Sequence, residues 1–198
     1  MREPTDAYKA IQLKSREIRR SEGFAAAIRF VESTIKQAAD RETRQLLFAD
    51  LSHYQAAAGQ FAKAEKTIRR AIAEQPDDPS CWKRLAQHYL SHAAAPAKAE
   101  KAIETALEKA ESRGSMIRDV LATRIEIALE RQDYRAVEDS LKRMLSAPYG
   151  PDEEYIHLDD HFLNRIPPGK VDEALLEQYR AAFPLLPGTG EAGGGEAG

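Results

Sequence analysis

Three places in this chain hold residue types that do chemistry in other settings. His157 and His161 stand four apart with Asp159 and Asp160 between them, and on a helix histidines at i and i+4 share one face, as a pair of metal ligands would. Cys81 precedes Trp82 at the start of an expected helix, where a thiol pKa can fall and the thiolate become a nucleophile. Gly188, Gly190 and Gly193 fit the spacing G-x-G-x-x-G, which in a dinucleotide site brings backbone close to a pyrophosphate. None of the three is completed. The histidines lack a third ligand at fixed spacing, which favours a structural role for them over a weak metal site. The cysteine has no base that sequence can name, so a partly buried structural thiol is expected. The glycines have neither the preceding strand nor the following helix that their motif needs. No catalytic residue, cofactor or enzymatic activity is expected.

Composition narrows the class. The chain has 198 residues, 31% of them charged and 42% hydrophobic, rich in Ala, Glu, Lys, Arg and Leu, a mixture that favours helix over strand. A net charge of −3 offers no general attraction to nucleic acid or to an anionic membrane. No run approaches the roughly 18 apolar residues of a membrane helix. Cys81 is the single cysteine, and MREPTDAYKA lacks a secretory apolar core, so a soluble cytoplasmic protein is expected.

The elements that must position any site are helices in pairs. Ala7, Ile11, Ser15 and Ile18 keep a helical rhythm that Gly23 breaks, and Ala27, Val31, Thr34 and Ile35 carry the next. Phe48, Leu51 and Ser52 edge a third helix. After Gly59, Phe61, Ala64, Ile68 and Ala71 form one face of a fourth, closed by Pro76. Asp77 or Asp78 can cap a fifth helix holding Trp82, Leu85, Ala86 and Tyr89. Pro96 opens a sixth with Ala99, Ile103, Ala106 and Leu107. Leu121, Ile125 and Ala128 mark a seventh, and Tyr134, Val137, Leu141 and Met144 an eighth. The compact residue near the start of each second helix is Ala27, Ala64, Ala99 or Val137, at steps of 37, 35 and 38 residues. Four units, near 8–41, 45–78, 79–113 and 118–147, therefore share one geometry, and length differences fall in turns. That is the signature of a helical solenoid.

Two stretches carry a family pattern. Trp82, Leu85, Ala86 and Tyr89 match W-x₂-L-G-x₂-Y with Ala for Gly, and Ala64, Ile68 and Pro76 match A-x₃-F and the closing Pro with Ile for Phe. The chain resembles a tetratricopeptide-repeat protein over roughly residues 8–146. The outer units depart from the pattern: Lys14 and Arg124 stand where Leu is wanted, and Ala128 replaces Tyr. The resemblance implies an all-α, right-handed α-solenoid spanning 5–148. An ordered loop is expected at 149–170, a capping helix at 171–184 over the last exposed hairpin, and a disordered Gly-rich tail at 185–198. Within that tail Leu186 to Gly190 reads LPGTG, similar to a sortase site but without the segments such a substrate needs.

The same resemblance implies that the first helix of each unit lines a concave groove. Its outward positions are Lys9, Gln12, Arg16, Arg19 and Arg20 in the first unit and Asp50 and His53 in the second. Lys83, Arg84 and Gln87 follow in the third, and Asp119, Glu126 and Glu130 in the fourth. Such a groove is basic at one end and acidic at the other, which suits an extended peptide of matching polarity. The alternative is a set of ordinary solvated charges. Positions 49, 50 and 53, where some relatives clamp a terminal carboxylate with Lys and Asn, hold Ala, Asp and His, so that clamp is not expected. The function implied is a non-catalytic adaptor or scaffold for a protein or peptide. The alternative is a regulatory subunit of an enzyme complex using 149–170. Nucleic acid and membrane partners are disfavoured, and the uncapped first hairpin leaves homo-oligomers open.

Overall fold

A computed structural model describes residues 6–147 and 160–183. Within them eight α-helices run in four hairpins: α1 (Asp6–Glu22) with α2 (Phe24–Gln37), α3 (Arg41–Ala57) with α4 (Phe61–Glu74), α5 (Pro79–Ser91) with α6 (Pro96–Arg113), and α7 (Ile117–Glu130) with α8 (Tyr134–Ser146). A 3₁₀ turn, Asp160–Arg165, and a ninth helix, α9 (Glu173–Ala182), complete them. The expected loop at 149–170 falls for the larger part outside the described residues, as does the tail at 185–198.

Local chemistry sets the helix ends. Asp40, Asp78, Asp133 and Asp172 each accept a hydrogen bond from a backbone N–H of the following turn, at 2.6, 2.9, 3.1 and 2.9 Å, satisfying donors the helix leaves orphaned. Asp78, and not Asp77, is the cap of α5, with Pro79 in the first turn. Gly114 ends α6 at φ 63°, and the Ser115 N–H returns to the Ala110 carbonyl at 3.1 Å, the left-handed closure that glycine adopts at least cost.

Packing passes from each helix to the next along the chain, and first helices also meet across units, α1 with α3 and α5 with α7. Ala27, Ala64, Ala99 and Val137 are all fully buried, as close approach of neighbouring helices requires. The core has two adjoining parts. One gathers Tyr8, Val31, Leu47, Phe48 and Leu51; the other runs from Ile68 and Leu85 through Ile103, Leu121 and Leu141 to Tyr179 of α9. Ile72 packs against both. α9 lies on α8, burying Leu175, Leu176 and Tyr179, with Val171 buried just ahead of it.

The fourth unit shows why its departure from the pattern is tolerated. Arg124, at the place held by Leu51 and Leu85 in the two units before it, donates to Glu104 of α6 at 2.6 Å. On α8 it donates to Asp139 at 2.8 Å and to the Ser140 hydroxyl at 2.6 Å. Burial works against its charge, but the bonds to Glu104 and Asp139 outweigh burial and hold its pKa above the ordinary arginine value. Arg118 is spent similarly at the end of α8, donating to the carbonyls of Met144 at 3.2 Å and Ala147, where the helix dipole favours a cation.

Candidate functional site

The first helices carry the residues singled out above, and the structure divides them into spent and unspent charges. At the α1–α3 junction the Tyr8 hydroxyl donates to Asp50 Oδ2 at 3.0 Å, and Gln12 Nε2 donates to the Tyr8 oxygen at 3.0 Å. Beside them the Ser15 and Tyr54 hydroxyls meet at 3.0 Å. Burial raises the Asp50 carboxyl above the ordinary range, against the Tyr8 hydrogen bond and the charges of Arg16, Arg84 and His53. Four of the expected groove residues, Arg16, Asp50, His53 and Arg84, thus sense one another across α1, α3 and α5.

Arg84 is the unusual member. It is half-buried, and among the described residues its guanidinium has no hydrogen bond or ion pair. Burial pushes its pKa down, opposed by Cys81, Asp78, Asp50 and Tyr8. A guanidinium carries five donors, and these have lost much of their water without gaining a direct partner. The adjacent Lys83 is different: it is ion-paired with Asp119 of α7, with only 19% and 25% of the two side chains exposed.

At the acidic end the charges are used within the chain. Asp119 is bound to Lys83, and Glu130 is paired with Arg165 beyond the 3₁₀ turn. Glu126 is half-buried in α7. At the other end Lys9, Arg16 and Arg20 are exposed, and Arg19 lies over the Phe24 ring at 5.6 Å. His53 is exposed beside the Tyr54 ring, and Gln87 is exposed on α5. The two-signed gradient expected from sequence is therefore reduced at its acidic end, while Arg84 stays uncommitted. Sequence reasoning missed Tyr8 and Arg124 as polar organisers; the first looked like a core aromatic and the second like a defect in the repeat.

The other candidates resolve simply. Cys81 is buried, its thiol pushed up to about 11 chiefly by burial and secondarily by Asp78; its Sγ lies 3.4 Å from Gln45 Oε1. The location at a helix N-terminus does not produce a reactive thiolate, because desolvation of the anion dominates. His157 lies outside the described residues, and of His161 the structure gives only its place in the 3₁₀ turn. Among the described residues no three His, Cys, Asp or Glu side chains are grouped to hold a metal, and no helix is long and apolar enough to cross a membrane.

Comparison with known proteins agrees with this architecture. Residues 44–88, spanning α3, α4 and most of α5, match the family model described as tetratricopeptide repeat. No curated protein matches the chain. Among solved structures, a tetratricopeptide repeat protein from Parabacteroides merdae is 15% identical with a TM-score of 0.57, covering 90% of this chain and 62% of that one. BtubC (BKLC) from P. vanneervenii is 14% identical with a TM-score of 0.59, covering 88% of this chain and 69% of that one. The chain thus spans about two thirds of the length of these structures, and at such identities the likeness is one of fold.

Proposed function

We propose that this solenoid of helical hairpins, carrying a tetratricopeptide repeat at residues 44–88, is a non-catalytic adaptor of the cytoplasm that holds a protein segment along the face of its first helices. Tetratricopeptide repeats generally mediate protein–protein interaction, and the single observation that favours this face is Arg84: half-buried, cationic and without a direct partner on a surface where Lys83 and Asp119 have satisfied each other. With Asp119 and Glu130 already paired, the charges left for a partner at Arg16, Arg20 and Arg84 have one sign. The segment that fits is acidic, its carboxylates facing α1 and α5. Charge complementarity of this kind governs orientation and encounter, and it weakens with salt.

The test uses a fluorescent peptide alternating Glu with small residues, titrated against the full chain and followed by anisotropy. Arg84→Gln and Arg16→Glu are each expected to weaken binding by roughly tenfold, equivalent to about 1.4 kcal/mol, while Arg135→Glu on the exposed side of α8 leaves it unchanged. Capture from the native host's lysate should lose the same partners with the Arg16→Glu, Arg84→Glu double variant. An unchanged partner list, together with peptide affinities that ignore both substitutions, would remove this face from consideration.

A further inference from the structure

A second site lies on the other side of α3. A cleft of about 630 Å³ opens between α2, α3 and α4, with Ile35, Phe48 and Leu51 as its apolar floor. Phe48, Leu51 and Gln55 follow one another at 3 and 4 residues, and at 3.6 residues per turn they lie nearly opposite Asp50 and His53 on α3. From Phe48 to Gln55 the floor extends for about 10 Å at 1.5 Å per residue. The volume is within the range of small-molecule sites, roughly 300–1,000 Å³.

Two features give the cleft a chemical preference. Its walls carry four cations, Lys36 of α2 and Lys63, Lys66 and Arg70 of α4, against one carboxylate, Glu32. None of the three lysines has an ion pair among the described residues, and Arg70 lies over the Phe48 ring at 5.0 Å. At the α3 C-terminal end Gln55 is only 3% exposed. Its Oε1 accepts from the Thr67 hydroxyl at 2.7 Å, and its Nε2 has no hydrogen-bond partner among the described residues. A buried amide donor left unpaired is costly, and native structures rarely keep one without a use.

We propose that this cleft binds an anionic amphiphile: a carboxylate or phosphate head on a medium-length apolar chain. The head's oxygen accepts from Gln55 Nε2 and is flanked by Lys63 and Lys66, whose methylene stems line the chain's path. The apolar chain runs along Leu51 and Phe48 beneath Lys36 and Arg70. This site shares no side chain with the Arg16–Arg84 face, so the fate of one reading does not decide the other.

The experiment is a titration of the ¹⁵N-labelled full chain with decanoate, decyl phosphate and decanol, watching the Gln55 side-chain NH₂ and the Thr67 amide. Saturable shifts with decanoate or decyl phosphate are expected, the tighter of the two naming the head group. Decanol, and decanoate against the Lys63→Glu, Lys66→Glu double variant, should each be roughly tenfold weaker, as loss of charge-assisted bonds predicts. The melting temperature of the unliganded double variant, whose substitutions are both exposed, should be unchanged. Equal binding of decanol, undiminished binding by the double variant, or an unmoved Gln55 amide overturns the proposal. So does sedimentation showing that this cleft instead joins two copies of the chain, relieved by the same double variant.

Discussion

Restoring the family residue at position 124 is a direct test of how the fourth unit is held. Arg124 is 17% exposed by side chain and bonds two carboxylates, Glu104 and Asp139, that are 45% and 52% exposed. Half-exposed carboxylates recover water when their partner leaves, so each pair contributes about 0.2–1 kcal/mol and no buried anion is stranded. Ser140 is fully buried, but its hydroxyl keeps its own bond to the Ala136 carbonyl at 2.8 Å. Arg124→Ala also removes two buried methylenes, about 0.8 kcal/mol each, for a total of roughly 2–3 kcal/mol with the ion pairs included. Arg124→Leu gives that apolar volume back, which leaves a net loss of about 1 kcal/mol or less. At about 2–4 °C per kcal/mol for a chain of this size, Ala should lower the melting temperature by roughly 5–10 °C and Leu by no more than about 3 °C. Circular dichroism at 222 nm on both variants reads the difference. If Leu costs as much as Ala, the bonds themselves and not the filled volume hold α7 between α6 and α8, and the reasoning fails.

Three further outcomes follow from the same structure. Ala64→Leu, at a fully buried contact of α4, should cost about 1–3 kcal/mol by overpacking, while Ala62→Leu on the exposed face is neutral; equal denaturation midpoints for the two would refute close helix approach there. Cys81, with its thiol near 11, should resist iodoacetamide at neutral pH and be alkylated fully only in guanidinium, as intact mass will show; rapid labelling of the folded chain would contradict its burial. His88 is buried and its imidazole pKa is lowered, first by burial and then by His92, with Glu65 opposing. A folded pKa below the unfolded value means the unfolded chain binds the proton more readily. Stability is therefore lost as pH falls through about 6.5. Asp50, with a raised pKa, slopes the other way, so the comparison that isolates His88 is thermal melting of wild type against His88→Gln between neutral and mildly acid pH. An equal slope in both would discard the assignment.

How much of this was legible in sequence depends on range. The hairpins were readable because helix periodicity and the small residues at 27, 64, 99 and 137 report local geometry. Caps were readable to within one residue, since Asp77 and Asp78 differ only in where the chain turns. Charge pairing was not, because it crosses from one unit to the next. Arg44 meets Glu74 30 residues on, Arg143 meets Glu111 across 32, Arg165 meets Glu130 across 35, and Lys83 meets Asp119 across 36. A search for opposite charges one unit apart would have found several of these, but nothing in any single unit marks them. Tyr8 and Asp50, 42 apart, exceed even that spacing, and their meeting follows from α1 packing on α3.

That spacing also explains why Arg84 is left over. In a solenoid each unit touches only its neighbours, so stability is a sum of unit and interface contributions, and a charge finds its partner one unit away or not at all. Lys83 finds Asp119 at a step of 36; the same step from Arg84 arrives at Val120, which is fully buried in the core. In the other direction Arg84 meets the buried side of Asp50, whose carboxyl already accepts from Tyr8. The repeat geometry that satisfies one basic residue thereby strands its neighbour on the same helix. Replacing Val120 with an acid to satisfy Arg84 would bury a carboxylate in the apolar core, at a cost far above that of a half-buried guanidinium. The cheaper solution is an anion brought by a partner, which is why Arg84→Gln is the substitution expected to weaken binding while sparing the fold.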